Sequence, residues 1–442
     1  MAPSKRVLLI RRPRSHENCL LTIKNLIQRR TQIKSTTTVA IGYINSVTIH
    51  DNISAIKEEI VMPFKNELPD SVLLSRVKTR NADVRSPYYR DTTAIIHSSP
   101  FRRLKHKTQV FFSPSNDHIC TRMEHVLHVA SIATAICRAM GLNDELAWAI
   151  GVGHDLGHTP FGHIGEKILS EKMVSKGFPS FEHEVNSLRV VDFLSHLNLT
   201  YAVRDGIVSH CGESFIRTIE PDFKVKDMDN ITTKKGIRPA TWEGCVVRFS
   251  DQIAYLGRDF EDAVRLGIVN KTDVPEICHK VLGVSNGEII NTLVEDIILN
   301  SEKEGCIAFS PDVYEAVKAM KEFNYQKIYR SPMLDGYEKY FRRLIDLIYN
   351  YLTDLLAKNG FDGSLYMKEG NMLSAGFFNY ITEKKDSYLE HDGNMDRVVF
   401  DYIAGMSDNF CLDCGNEILR PEHLNESIER SLTGKWFDAV RS

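Results

Sequence analysis

Apolar and polar positions alternate with a helical period through most of this chain. After Pro114, apolar residues recur every three or four positions with short breaks, which predicts helices near 122–140, 144–156, 181–200, 243–266, 286–303, 311–326, 336–358 and 395–408. Strand-like alternation is confined to 36–49 (TTTVAIGYINSVTI). Residues 213–239 (ESFIRTIEPDFKVKDMDNITTKKGIRP) are polar and aperiodic, and read as an insertion or lid between two segments that carry chemistry. The expected fold class is all-α. A helical core spans 61–275, an additional C-terminal helical region at 276–442 packs on it, and 1–60 form an extension.

Composition changes that picture little. With 43% hydrophobic and 26% charged residues the 442-residue chain is ordinary globular protein, and no window reaches the run of apolar residues that a membrane span needs. Charge matters locally. The net charge of -3 hides nine Lys or Arg against one acid, Glu17, in residues 1–38, so the rest of the chain carries about -11. The extension is expected to be flexible or weakly packed rather than a targeting segment, and its basic character suits single-stranded nucleic acid or other phosphate-rich partners. Nine scattered Cys argue for a reducing, cytoplasmic setting. Cys411 and Cys414 form a C-x-x-C pair with no second pair at zinc spacing, which reads as coincidence.

The densest chemistry lies in AIGVGHDLGHTPFGHIGE, residues 149–166. An apolar helix runs into Gly157 and Pro160, neither of which suits a helix interior, so His154 and Asp155 sit at a helix end. His158, His163 and Glu166 then fall in a turn and the start of the next helix. One buried His is more often a core residue than a ligand. Here, however, eleven of the sixteen His fall between His97 and His210. Further metal-type ligands stand on other predicted helices: His125 in TRMEHVLHVA, His183 in FEHEVNS and Asp251 in VVRFSDQIAYLGRDFEDA. Asp251, Tyr255 and Asp259 are spaced four apart and share one helix face. The cationic run Arg102, Arg103, Lys105 and Lys107 reads as a solvated face or as a source of phosphate-binding guanidinium.

These residues carry a resemblance. The dispersed H…HD…D set is similar to the HD-domain metal phosphohydrolases. The wordings SPFRRLKHKTQVF, TRMEHVLHVA, GHDLGHTPFGHIGE, FEHEVNSLR, WEGCVVRFSDQIAYLGRDFEDA and DYIAGMSD resemble the deoxyguanosine triphosphate triphosphohydrolase branch, from about Arg85 to Asp408. The resemblance implies an HD-domain helical bundle. It assigns His125, His154, Asp155 and Asp251 to a divalent metal, Mn²⁺ or Mg²⁺, with Fe, Co or Zn as alternatives. His163 and Glu166 match a catalytic His and its supporting acid. Arg122 matches a triphosphate contact and His183 a phosphate contact, with His158 beside them. Tyr255 and Asp259 match sugar contacts, and Gln109 with Val110 a base- and sugar-facing segment. One departure is His128, where the family commonly has Glu. Homo-oligomers are common among such enzymes, and the resemblance implies one here.

The implied reaction is hydrolysis of dGTP or another dNTP at the α-phosphorus to deoxynucleoside and tripolyphosphate. His163 would protonate the 5′-oxygen leaving group, the alternative being a base toward water. Other HD phosphohydrolases, acting on nucleoside monophosphates, cyclic nucleotides or guanosine polyphosphates, and a non-catalytic nucleotide- or nucleic-acid-binding regulator are the competing classes.

Overall fold

Capping residues decide where most helices begin. The computed structural model describes residues 64–112, 116, 118–211, 215–391 and 395–419. The basic segment and the strand-like stretch at 36–49 lie outside them. In chain order the first helices are α1 (Asp70–Leu73), α2 (Pro87–Ile96), α3 (Ser99–Arg103), α4 (Arg122–Ala139), α5 (Asp144–Gly153), α6 (Gly162–Ser175), α7 (His183–Arg189) and α8 (Tyr201–Ser209). Then follow α9 (Trp242–Arg265), α10 (Glu276–Val281), α11 (Asn286–Glu304), α12 (Pro311–Phe323), α13 (Pro332–Asn359), α14 (Gly363–Met367), α15 (Met372–His391), α16 (Met395–Gly405) and α17 (Asp408–Ile418). Thr121 opens α4 with a capping box, its side chain accepting from Glu124 N while Glu124 receives the Thr121 N–H. Asn143 and Thr241 cap α5 and α9 in the same spirit. The all-α expectation holds. The only sheet among the described residues is β1 (Thr218–Ile219) antiparallel to β2 (Ile307–Ala308), with Thr218 opposite Ala308.

Three predicted segments differ in detail. The helix expected over 181–200 starts at His183, widens to a π-turn over Val190–Leu194 and stops there. His196 and Asn198 take positive φ of 47° and 53°, and the Asn198 side chain holds that bend through Lys78. The helix expected over 395–408 breaks after Gly405, because Ser407 caps a new helix by accepting from Phe410 N. The 213–239 segment contains β1 and a 3₁₀ turn at Met228–Asn230. Lys226 and the backbone N–H of Ala240 both bind the buried Asp205, and Lys234 binds Glu184.

Two hydrophobic clusters position the site. The first joins α4, α5, α8, α9, α11 and α12, with Val129, Ile150, Ile207, Val247, Leu293 and Val317 among its buried members. The second joins α6, α13 and α15 to α17, through Ile168, Leu169, Ile345, Phe377, Phe400 and Cys411. Cys411 and Cys414 are buried there as apolar side chains. The turn between α5 and α6 crosses from one cluster to the other. Its end is clamped from the C-terminal side: buried Asp408 accepts from Phe161 N and Thr108 N, each at 2.9 Å, and from the Thr108 hydroxyl. Buried Lys107 donates to the carbonyls of His158 and Ala404.

Asp408→Ala leaves those donors without an acceptor in a closed interior. We expect a loss of about 3 kcal/mol in urea unfolding; a loss below about 1 kcal/mol would show that the clamp is not holding the turn.

Candidate active site

The first turn of α4 places Arg122 and His125 on one buried face. Helix α5 ends at Gly153, and the next residues turn away with His154 and Asp155 buried. Gly157 lets α7 come close: a Cβ there would lie 2.2 Å from Ser187 N. Phe161 then takes φ 62° and Gly162 φ 59° before α6 begins, so His163 and Glu166 emerge on its first turns. Asp251, Tyr255 and Asp259 descend one face of α9, as their spacing predicts.

These elements bring the expected residues together. His125, His154 and Asp155 offer ligand atoms within 4.8 Å of one another. Asp251 joins them, its Oδ1 lying 2.9 Å from His125 Nε2 and 3.9 Å from His154 Nε2. The residues fit a divalent metal on their own chemistry. His154 Nδ1 faces the carbonyl of Gly151 at 2.8 Å, so it must donate, and the lone pair is left on Nε2. That Nε2 is buried with no hydrogen-bond partner. Burial pushes the His154 imidazole down to about 4, which keeps it neutral. Burial would raise Asp155, but Arg122 and the surrounding imidazoles outweigh it and hold the carboxylate well below its usual range. Arg122 is ion-paired to Asp155 Oδ2 and also reaches the carbonyl of Gln109 at 3.4 Å.

A second grouping stands beside the first. Glu166 lies 3.4 Å from His163 Nδ1, but it binds His183 more closely, through Nδ1 at 2.9 Å and the backbone N–H at 3.0 Å. The acid expected to serve His163 therefore serves two imidazoles. Burial opposes a charge on His183, yet Glu166 and Glu184 raise its proton affinity well above the ordinary His value. The His163 side chain is 68% exposed, whereas His158 is fully buried behind it, ring centroids 5.4 Å apart. His158 Nε2 is 3.7 Å from Glu166 Oε2.

One cavity of about 570 Å³ is lined by Gln109, Val110, Arg122, His125, Asp155, His163, His183, Asp251, Tyr255 and Asp259. His154, His158 and Glu166 do not line it; they stand behind side chains that do. Burial pushes Asp259 up to about 6, and Tyr329 donates to it at 2.5 Å. The run Arg102 to Lys107 does not reach the cavity. Arg102 and Lys105 are exposed, and Lys107 is spent on backbone carbonyls. His128, half-buried on α4, also lies outside it.

Sequence reasoning missed the far wall. His210, Cys211, Phe215, Arg248, Lys318, Lys321, Tyr325 and Tyr329 also line the cavity. His210 and Cys211 end an apolar run (YAVRDGIVSHC) much as His154 and Asp155 end theirs, which was a usable signal. Lys318, Lys321 and Tyr325 fall at i, i+3 and i+7, a pattern equally expected of a solvated helix face.

Residues 122–255 match the HD domain family, and residues 307–417 match the phosphohydrolase-associated domain. Relatives named deoxyguanosinetriphosphate triphosphohydrolase-like protein are similar over most of the chain. One from Caldanaerobacter subterraneus subsp. tengcongensis is 36% identical over 343 residues, 77% of this chain and 86% of its own. One from Desulfatibacillum aliphaticivorans is 36% identical over 348 residues, 76% of this chain and 89% of its own. One from Clostridium tetani is 35% identical over 356 residues, 78% and 89% respectively. No helix among the described residues is long and apolar enough to cross a membrane.

Asp155→Ala removes a carboxylate from the first cluster and strands Arg122 beside it. Mn²⁺ affinity, followed by electron paramagnetic resonance, should fall at least about 10²-fold, as expected when a charged ligand is replaced by a cation's unpaired charge. Unchanged Mn²⁺ binding would remove Asp155 from the ligand set.

Proposed function

Since the chain belongs to the family of HD-domain deoxyguanosine triphosphate triphosphohydrolase-like phosphohydrolases, we propose that it hydrolyses dGTP or another dNTP at the α-phosphorus, releasing deoxynucleoside and tripolyphosphate. The observation that carries this reading is the shared cavity. His125, Asp155 and Asp251, the Arg122 guanidinium, and Tyr255 with Asp259 all line one space of about 570 Å³.

In this reading His125, His154, Asp155 and Asp251 hold one divalent ion. When bound, it lowers the pKa of a coordinated water and polarises a phosphoryl oxygen. Arg122 and the protonated His183 offset the triphosphate charge. The 5′-oxygen of the sugar is a poor leaving group and needs a proton. His163 supplies it from the cavity side, while Glu166 orients the ring by accepting from Nδ1 and leaves Nε2 toward the substrate. His158 backs this pair and keeps the turn packed.

The sugar sits toward α9. Tyr255 forms the wall against C2′, where a ribose hydroxyl would have no room, and Asp259 accepts or donates at the 3′-hydroxyl. Gln109 and Val110 close the base and sugar side, next to Arg122. Lys321 lies 4.5 Å over the Phe215 ring and 5.7 Å over that of Tyr255, adding a cation at the rim.

Incubating the purified protein with each dNTP and Mn²⁺ or Mg²⁺ should yield tripolyphosphate and deoxynucleoside in equal amounts. Pyrophosphate with a monophosphate, or orthophosphate with a diphosphate, would place the chain among other HD phosphohydrolases. His163→Ala should lower kcat by about 10²-fold or more while Mn²⁺ binding is retained. An unchanged kcat would refute the acid role.

A further inference from the structure

The turn that carries His154 and Asp155 has two faces. Asp155 lines the cavity described above, whereas Leu156 and Gly157 line a different one, also of about 570 Å³. Helix α7 is divided in the same way, with His183 on the first cavity and Asn186 on the second. Arg103 of α3 and Tyr402 and Phe410 of the C-terminal helices complete the second cavity, which the proposed reaction leaves unused.

Two polar groups there lack a partner. The Asn186 amide donates through Nδ2 to the Gly157 carbonyl at 2.7 Å, and a carbonyl can only accept, so the other end of the amide is Oδ1. That oxygen is buried with no hydrogen bond, in a side chain only 3% exposed. Arg103 has neither a hydrogen bond nor an ion pair from its guanidinium among the described residues. Burial pushes its pKa down against the raising pull of Tyr380 and Tyr402, yet a guanidinium keeps its charge. A buried cation without a counterion and a buried acceptor without a donor both cost free energy that one ligand can offset.

The charges on the walls select the ligand. Besides Arg103 they are Lys384, Glu383 and Asp401. Lys384 pairs with Glu383 at 2.7 Å, and Asp401 is met by Arg189 and Arg397. Arg103 is thus left as a single uncompensated positive charge, which suits one negative charge and would leave most of a polyphosphate unmatched. We propose that this cavity binds a small organic molecule with a single negative charge. A carboxylate pairs with the Arg103 fork, an apolar body lies against Leu156 and Phe410, and a donor reaches Asn186 Oδ1. Because Asn186 and Ser187 bind the backbone of Gly157 from α7, the occupant braces the turn from behind and is linked to the metal set on its other face. That link rests on His154 and Asp155 holding metal; the anion site does not.

The test uses the full chain and 8-anilinonaphthalene-1-sulfonate, a fluorescent, singly charged probe with an apolar body and one N–H, whose sulfonate stands in for the carboxylate. Wild type should bind it saturably at one equivalent. Arg103→Met should weaken binding at least about 10-fold, the scale of one lost charge-assisted hydrogen bond. Ser195→Trp adds bulk at a half-buried position of the cavity wall without changing charge, and should weaken it comparably. Circular dichroism verifies that both variants fold. The neutral analogue N-phenyl-1-naphthylamine should not distinguish wild type from Arg103→Met. Equal probe affinity in wild type and both variants overturns the site, as does full displacement by tripolyphosphate, which would seat the probe beside Arg122 and His183. At saturating probe, Mn²⁺ affinity by electron paramagnetic resonance should rise about 5-fold, and Mn²⁺ should tighten the probe by the same factor. Unchanged Mn²⁺ affinity overturns the link. No readout involves hydrolysis, so the anion site and the proposed reaction can fail separately.

Discussion

The turn from His154 to Gly162 is the constraint on which the rest of the site depends. It must bury His154 and Asp155, reverse the chain and start a helix, all within a few residues. Two features make this feasible. Gly157 admits the backbone of α7 at a distance no side chain would allow, and Phe161 accepts a left-handed conformation that ordinary residues avoid. Phe161 is held there by its backbone bond to Asp408 and by its ring, stacked on Phe341 with centroids 3.9 Å apart. Local strain is thus offset by contacts from residues 180 and 247 positions away in sequence.

This arrangement explains why the phosphohydrolase core and the helices after it share one task. Helix α6 presents His163 to the cavity, keeps Glu166 behind it and buries Ile168 and Leu169 in the second hydrophobic cluster. Displacing the C-terminal helices would move His163 and Glu166 relative to His125 and Asp251, which stand on helices of the first cluster. The cavity is likewise completed from beyond the HD match, since Lys318, Lys321, Tyr325 and Tyr329 come from α12 and the π-helical segment after it.

Electrostatics in the site follow from burial combined with mutual pairing. A carboxylate in so closed a place would ordinarily become neutral, yet Asp155 and Glu166 stay charged because Arg122 and His183 stand against them. Asp259 lacks such a cation and is pushed up to about 6. Acidic groups in and behind one cavity are therefore poised differently, two as fixed charges and one near its midpoint at mildly acidic pH.

By itself the sequence determined the helical period and the clustering of His154 to Glu166. Those are local properties, fixed by residue spacing and backbone chemistry. It also placed Asp251, Tyr255 and Asp259 on one face, because helical geometry alone demands it. Which acid serves which histidine was decided only in three dimensions: Glu166 is three residues from His163 but closer in space to His183. The cationic run at 102–107 was turned away from the cavity, and Lys107 was consumed in clamping the turn. His183, His210 and Cys211 meet at the cavity where the start of one helix faces the end of another. Such meetings depend on how helices pack, and packing is set by the whole core rather than by any stretch of residues within it.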